Sequence, residues 1–315
     1  MYQKFLMYGR KGVLAVEELA DRIFTPQYNP FYYLGAIAIF FLWLLVVSGI
    51  YLFIFYEIGA PYNSIKYITE EQWYLGGIMR SVHRYAADGM IIATILHLIQ
   101  VYFTDRYRHW RWIAWVSGIF LLAFIWLTGI IGYWMVWDER GQIIADLTAA
   151  FLDFFPIFGE LLSLSFSRNN LITNLFFFVA LFLHIMVPVL LFIFLWIHLI
   201  RVSHPVINPP RLIGIPIVGI LLALSLLKPA TSQLPADVGK IISKVGMDWF
   251  YLFSYPVFNS MPIWTSWIIL CVGALILTFI PWYVKSKRPL AAEIIKENSQ
   301  GAPNVLKTVP MRLSI

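Results

Sequence analysis

Long apolar runs broken by short polar stretches set the rhythm of this chain. Six of them, approximately 32–55, 77–103, 112–136, 171–200, 212–227 and 262–283, predict helices. A helix rises about 1.5 Å per residue, so about 20 apolar residues cross the roughly 30 Å hydrocarbon core of a bilayer. Five of the runs have that length. The fifth in order, at 16 residues and with Pro216 inside it, is the shortest. Upstream, Val13 to Phe24 alternates as an amphipathic helix suited to a membrane surface. Met1 to Gln27 lacks the continuous apolar stretch of a cleavable signal peptide.

Composition agrees with an all-α membrane protein. The chain is 60% hydrophobic and 13% charged, with a mean hydropathy of +0.74, values that exclude an ordinary soluble domain of 315 residues. Six spans put both ends of the chain on one side. The segments on that side hold 15 of the 23 Lys and Arg, so it is expected to face the cytoplasm or its equivalent, the n-side. The net charge of +6 thus reflects membrane topology, and no nucleic-acid partner is expected.

Four of the six histidines then stand out. His83 and His97 lie 14 residues apart in the second run, and His184 and His198 lie 14 apart in the fourth. Fourteen residues miss four helical turns by only about 40° and climb about 21 Å. Each helix therefore offers two imidazoles on one face at two depths. A lone histidine inside a membrane is often a packing or hydrogen-bonding residue. Two matched pairs instead predict metal ligation of two stacked haems, His83 with His184 towards the opposite p-side and His97 with His198 towards the n-side.

Cys271 is the only cysteine, so neither a C-x-x-C-H attachment nor an intrachain disulfide is encoded. The haems are expected to be noncovalent and b-type. Gly35 and Gly49 in the first run, and Gly118 and Gly132 in the third, repeat the spacing of 14. Missing side chains there let a flat macrocycle press against backbone, although small-residue helix packing uses glycine too. Arg80, one turn before His83, and the neighbouring Arg84 are candidates for haem propionates.

These residues resemble the cytochrome b family, the di-haem membrane subunit of bc and bf type quinol oxidoreductases. The resemblance covers about residues 25–283. Gly132-Tyr133 followed by Trp137 is similar to the family's G-Y-x-L-P-W segment, with Met135 and Val136 for Leu and Pro. His204, six residues past His198, stands where the family has an n-side quinone histidine. Met247-Asp248-Trp249-Phe250 resembles its P-E-W-Y motif at the quinol oxidation site. A carboxylate at Asp248 suits quinol oxidation, which releases protons and needs an acceptor within hydrogen-bond reach.

The resemblance implies four units: an amphipathic segment at 1–30, a four-helix di-haem core at 31–205, two further helices with a quinol-site-like loop at 206–284, and a tail at 285–315. It implies quinol oxidation near the p-side, one electron passing to an external acceptor and one through the two haems to a quinone near His204. It also implies a multi-subunit, dimer-forming complex with a Rieske-type iron–sulfur protein or a cytochrome c subunit, in an energy-transducing membrane such as the prokaryotic cytoplasmic membrane.

Departures from the family are equally legible. Between Glu160 and Asp237 there is no Asp or Glu, so the usual n-side acid is missing. The chain ends after the sixth run, whereas the long bc-type subunit continues for two helices. In the tail, Ser299, Ala302, Val305, Val309 and Pro310 fall in register with C-x2-C-x2-C-x3-C-P, the pattern of a ferredoxin remnant that has lost every thiolate. Three other classes share some of these features. A flavin-linked ferric reductase would need a dinucleotide fingerprint, which is absent. A di-haem anchor of another respiratory oxidoreductase would not split quinol electrons between two acceptors. A transporter with a histidine proton relay would bind no haem.

Overall fold

Where the hydrophobic runs lie, the computed structural model has helices, and their limits follow the runs closely. It describes residues 2–154, 174–202, 205–240, 242, 246 and 260–283. The helices are α1 (Tyr2–Phe24), α2 (Leu34–Phe55), α3 (Pro61–Glu70), α4 (Ile78–Phe103), α5 (Trp112–Val136), α6 (Glu139–Asp153), α7 (Asn174–Ile200), α8 (Arg211–Leu227) and α9 (Ile263–Tyr283). Among the described residues, five segments are long and apolar enough to cross a membrane, and α8 is the shorter apolar helix expected from its run. The protein is an integral membrane protein. Large apolar side chains such as Ile50, Trp196 and Leu227 stay exposed on the helix faces, as a bilayer rather than water permits.

Two helix pairs make the core. α2 packs along α4, and α5 packs along α7. Residues from both pairs join one apolar cluster, among them Phe41, Leu45, Ala86, Met90, Leu121, Ile125 and Leu191. α8 leans on α4, and α9 touches α5, where the Trp115 indole donates to the Leu277 carbonyl at 2.7 Å.

Three short elements lie outside the apolar runs. α3 begins on Pro61, whose fixed φ and absent N–H suit a first helical turn. Trp73–Gly77 is a π-helical turn leading into α4. α6 follows α5 after a single turn: Trp137 takes a left-handed φ of 52°, and Asp138 caps the new helix by accepting from the Gly141 N–H at 2.9 Å. The other Asp138 carboxylate oxygen accepts from the Gln233 N–H at 2.9 Å. Asp138 also bridges Pro235, which fastens the 233–237 segment to the end of α5.

α1 is longer than the amphipathic stretch read from sequence, and its tether was not foreseen. Asn29 is fully buried. Its amide donates to the Glu17 carbonyl at 2.9 Å and to Asp21 Oδ1 at 2.7 Å, and its carbonyl accepts from the Phe31 N–H at 2.9 Å. Asn29→Ala leaves several buried groups unpaired and is expected to cost on the order of 2–3 kcal/mol. Limited proteolysis and thermal unfolding should show α1 released before the bundle melts.

Candidate functional site: two tiers of paired histidines

The antiparallel packing of α2 on α4 and of α5 on α7 decides what each glycine meets. A Cβ built on Gly49 would stand 3.2 Å from His83 Cε1, and one on Gly35 would stand 3.5 Å from His97 Cε1. On the other pair, Gly132 would meet His184 Cε1 at 3.1 Å and Gly118 would meet His198 Cε1 at 3.4 Å. Each glycine thus lies against one imidazole, which leaves its backbone open to a flat group held on that ring.

Across the bundle the rings face in pairs. His83 and His184 have ring centres 6.3 Å apart, and His97 and His198 have theirs 6.5 Å apart. Two imidazoles bound to one metal at about 2 Å each have ring centres a little over about 6 Å apart, so both tiers have the span of a shared metal.

Hydrogen bonds choose which nitrogen is available. Ser48 donates its hydroxyl proton to the Leu44 carbonyl at 2.7 Å, so towards His83 Nδ1, 3.0 Å away, it offers only lone pairs. His83 Nδ1 must therefore carry the proton, which leaves Nε2 with the free lone pair. Ser117 repeats the arrangement, donating to the Ile113 carbonyl at 2.8 Å and standing 3.2 Å from His198 Nδ1. His184 Nδ1 donates to the Thr128 carbonyl at 3.0 Å. Such partners orient a ligating ring and raise its basicity. The sequence reading missed Ser48 and Ser117, although each sits immediately before one of the glycines it singled out.

Among the described residues no group of three or more His, Cys, Asp or Glu side chains could hold a metal ion. Two imidazoles alone suit a metal that brings its own equatorial donors, which is what haem iron does. The residues fit the group.

Around the His97/His198 tier lies a cavity of about 380 Å³. Gly35, Gly118 and both histidines line it, with Arg106 and Arg111 among its polar residues. It extends to Val202, Pro205 and Val206, which flank His204 in sequence. His204 itself lies outside the described residues, as do Asp248 with its motif and the whole tail. One carboxylate near this tier was missed. Glu17 of α1 is buried and accepts from Gln100 Nε2 at 2.6 Å, and Gln100 lines the cavity. It escaped notice because it comes from a helix some eighty residues upstream of its partner.

At the other tier, Arg80 is buried and donates to Thr69 Oγ1 and, at 2.8 Å, to Ser232 Oγ. It ties α3 and the 232 segment to α4. Arg84 pairs with Asp88 at 3.0 Å and lies over the Tyr133 ring. Near this end, a second cavity of about 560 Å³ is lined by Trp137, Phe177, Leu234 and Val238, with Glu139, Asp237 and Lys240 supplying charge. The hydrogen bond from Lys240, helped by the Gly239 N–H, holds the Asp237 carboxyl below its ordinary range. Asp237 therefore stays ionised at neutral pH and is a poor proton acceptor.

Helices of membrane length with two tiers of facing imidazoles define a helical membrane protein built to hold haem. Comparison with known proteins places it further. The family model described as Cytochrome b/b6/petB matches residues 19–206, and the chain belongs to this family, whose members bind b-type haem. It is 30% identical over 155 residues to cytochrome b6 of Gloeobacter violaceus (strain ATCC 29082 / PCC 7421), covering 47% of this chain and 72% of that protein. It is also 30% identical over 156 residues to cytochrome b6 of Mastigocladus laminosus, covering 48% and 72%. Among solved structures, a chain of a "Hyperthermophilic respiratory Complex III" shares the fold with a TM-score of 0.67 at 18% identity, covering 81% of this chain and 76% of that one.

Proposed function

We propose that this chain is the di-haem cytochrome b subunit of a bc-type complex, carrying electrons across the membrane between quinol or quinone and protein redox partners. The observation that carries the reading is the pair of imidazole tiers, with ring centres 6.3 and 6.5 Å apart. Each bound haem would accept and donate one electron, so two stacked haems would relay electrons across the bilayer. The protein's part is to fix ligands, spacing and dielectric. Ser48, Ser117 and the Thr128 carbonyl hold three rings in the ligating tautomer, and the four glycines let the rings sit close to neighbouring backbone.

The excess of Lys and Arg on one set of loops puts both termini on the n-side. The His83/His184 tier then belongs to the p-side and the His97/His198 tier to the n-side. Quinol oxidation is assigned to the p-side, near the cavity between Trp137, Phe177 and the 234–242 segment. Asp248 is the proton acceptor there; Asp237, held ionised by Lys240, is not. His204 is the group for quinone or another acceptor on the n-side. A Rieske-type iron–sulfur protein or a cytochrome c subunit would take the first electron.

Reduced-minus-oxidised spectra with a pyridine haemochrome assay on the purified complex should give about two b haems per chain, any c-type contribution being separated. No haem would overturn the reading in favour of a transporter. Asp248→Asn should then slow quinol oxidation with haem content unchanged. Unchanged turnover would remove Asp248 from the mechanism and favour a di-haem anchor that does not split quinol electrons.

A further inference from the structure

One arginine near the His83/His184 tier has a buried donor with no partner among the described residues. Arg140 sits in the first turn of α6, where the helix dipole disfavours a cation. Its Nε is buried and has no hydrogen-bond partner among the described residues. Three other charged groups nearby are already engaged. Arg80 is bonded to Thr69 and Ser232, Arg84 to Asp88, and both Asp138 oxygens to the N–H groups of Gly141 and Gln233.

The position of Arg140 limits what could satisfy it. Its guanidinium lies 5.9 Å from the centre of the Tyr133 ring, which Arg84 also overlies, at 5.2 Å. Tyr133 follows Gly132, the seat of the His184 imidazole. Arg140 Nη2 would also stand 3.3 Å from a Cβ on Gly246, two residues before Asp248 in sequence. The cation is thus close both to the last turn of α5 and to Gly246.

We propose that Arg140 binds an oxyanion at the p-side site, either a propionate of the haem on His83 and His184 or a developing negative charge on a quinol oxygen. The inference rests on the di-haem, quinol-oxidising reading of the chain. A buried guanidinium donor is preorganised for either oxygen and gains strength where water is excluded. Nothing is transferred to or from Arg140. It stays protonated throughout and acts as a fixed charge.

The test compares the intact complex with Arg140→Gln and Arg140→Lys forms, using haem redox titration and oxidation of a short-chain quinol. If the partner is a propionate, Arg140→Gln favours the oxidised p-side haem by up to about tenfold, a fall of about 59 mV in its potential, with the n-side haem unmoved. If the partner is quinol, kcat/KM falls by about 10–100-fold while both potentials stay in place. In either case Arg140→Lys restores part of the effect, because the charge is kept. The proposal is overturned if neither quantity moves. Absence of haem or of quinol oxidation in the parent complex would sink the underlying reading instead, since both arms are ratios to the parent.

Discussion

His198→Ala is expected to remove one haem and leave the other. The ring it deletes faces His97 at 6.5 Å between centres, while His83 and His184 remain seated on Gly49 and Gly132 in the other tier. Along one helix the two tiers are separated by 14 residues, about 21 Å, too far for either histidine to serve both. The b-haem absorbance should fall by about half, and the haem that remains should keep its potential and spectrum. His97→Ala should give the same product, because a ligand pair fails as a unit. The measurement is haem content per chain, with redox titration of what remains. Equal loss of both haems from folded protein would sink the assignment of separate pairs.

Gly132→Leu should produce the opposite selectivity, loss of the His83/His184 haem with the other retained. A Cβ at Gly132 already stands 3.1 Å from His184 Cε1, and the remaining carbons of leucine have to enter the space of that ring. Gly132→Ala is the graded case. By helix propensity alone it should stabilise α5 by up to about 1 kcal/mol. Any loss of haem in the alanine form is therefore steric, since the helix itself is improved. The expected result for alanine is weaker retention and an altered low-spin signal for one haem, read by spectroscopy and haem content. Full retention of both haems in the leucine form would show that His184 does not sit in this glycine notch when ligating.

The helices were legible because their signal is local. A run such as 112–136 is apolar at nearly every position, and no partner is needed to know that it leaves water. α3 and α6 were not legible, because they are short and mixed in character and are held by features outside themselves. Asp138 caps α6 while also holding Gln233, nearly a hundred residues away. The tether of α1 is similar, joining Asn29, Glu17 and Gln100 across three parts of the chain. In the site, the histidines could be found because helical periodicity turns a spacing of 14 into a shared face. Arg140 could not, because an unpaired donor is defined by what fails to reach it.

By itself, then, the sequence determined a helical membrane protein with four histidines on two faces at two depths. Those properties follow from hydropathy and from the 3.6-residue turn, both of which act within a single helix. Tertiary packing settles which nitrogen of His83, His184 and His198 keeps its lone pair, that the glycines lie against imidazoles, that Arg80 donates to Thr69 and Ser232, and that Arg140 Nε has no partner among the described residues. Each of these depends on the register between helices. A hydrogen bond is made or lost over about half an ångström, a precision that spacing along one helix does not convey.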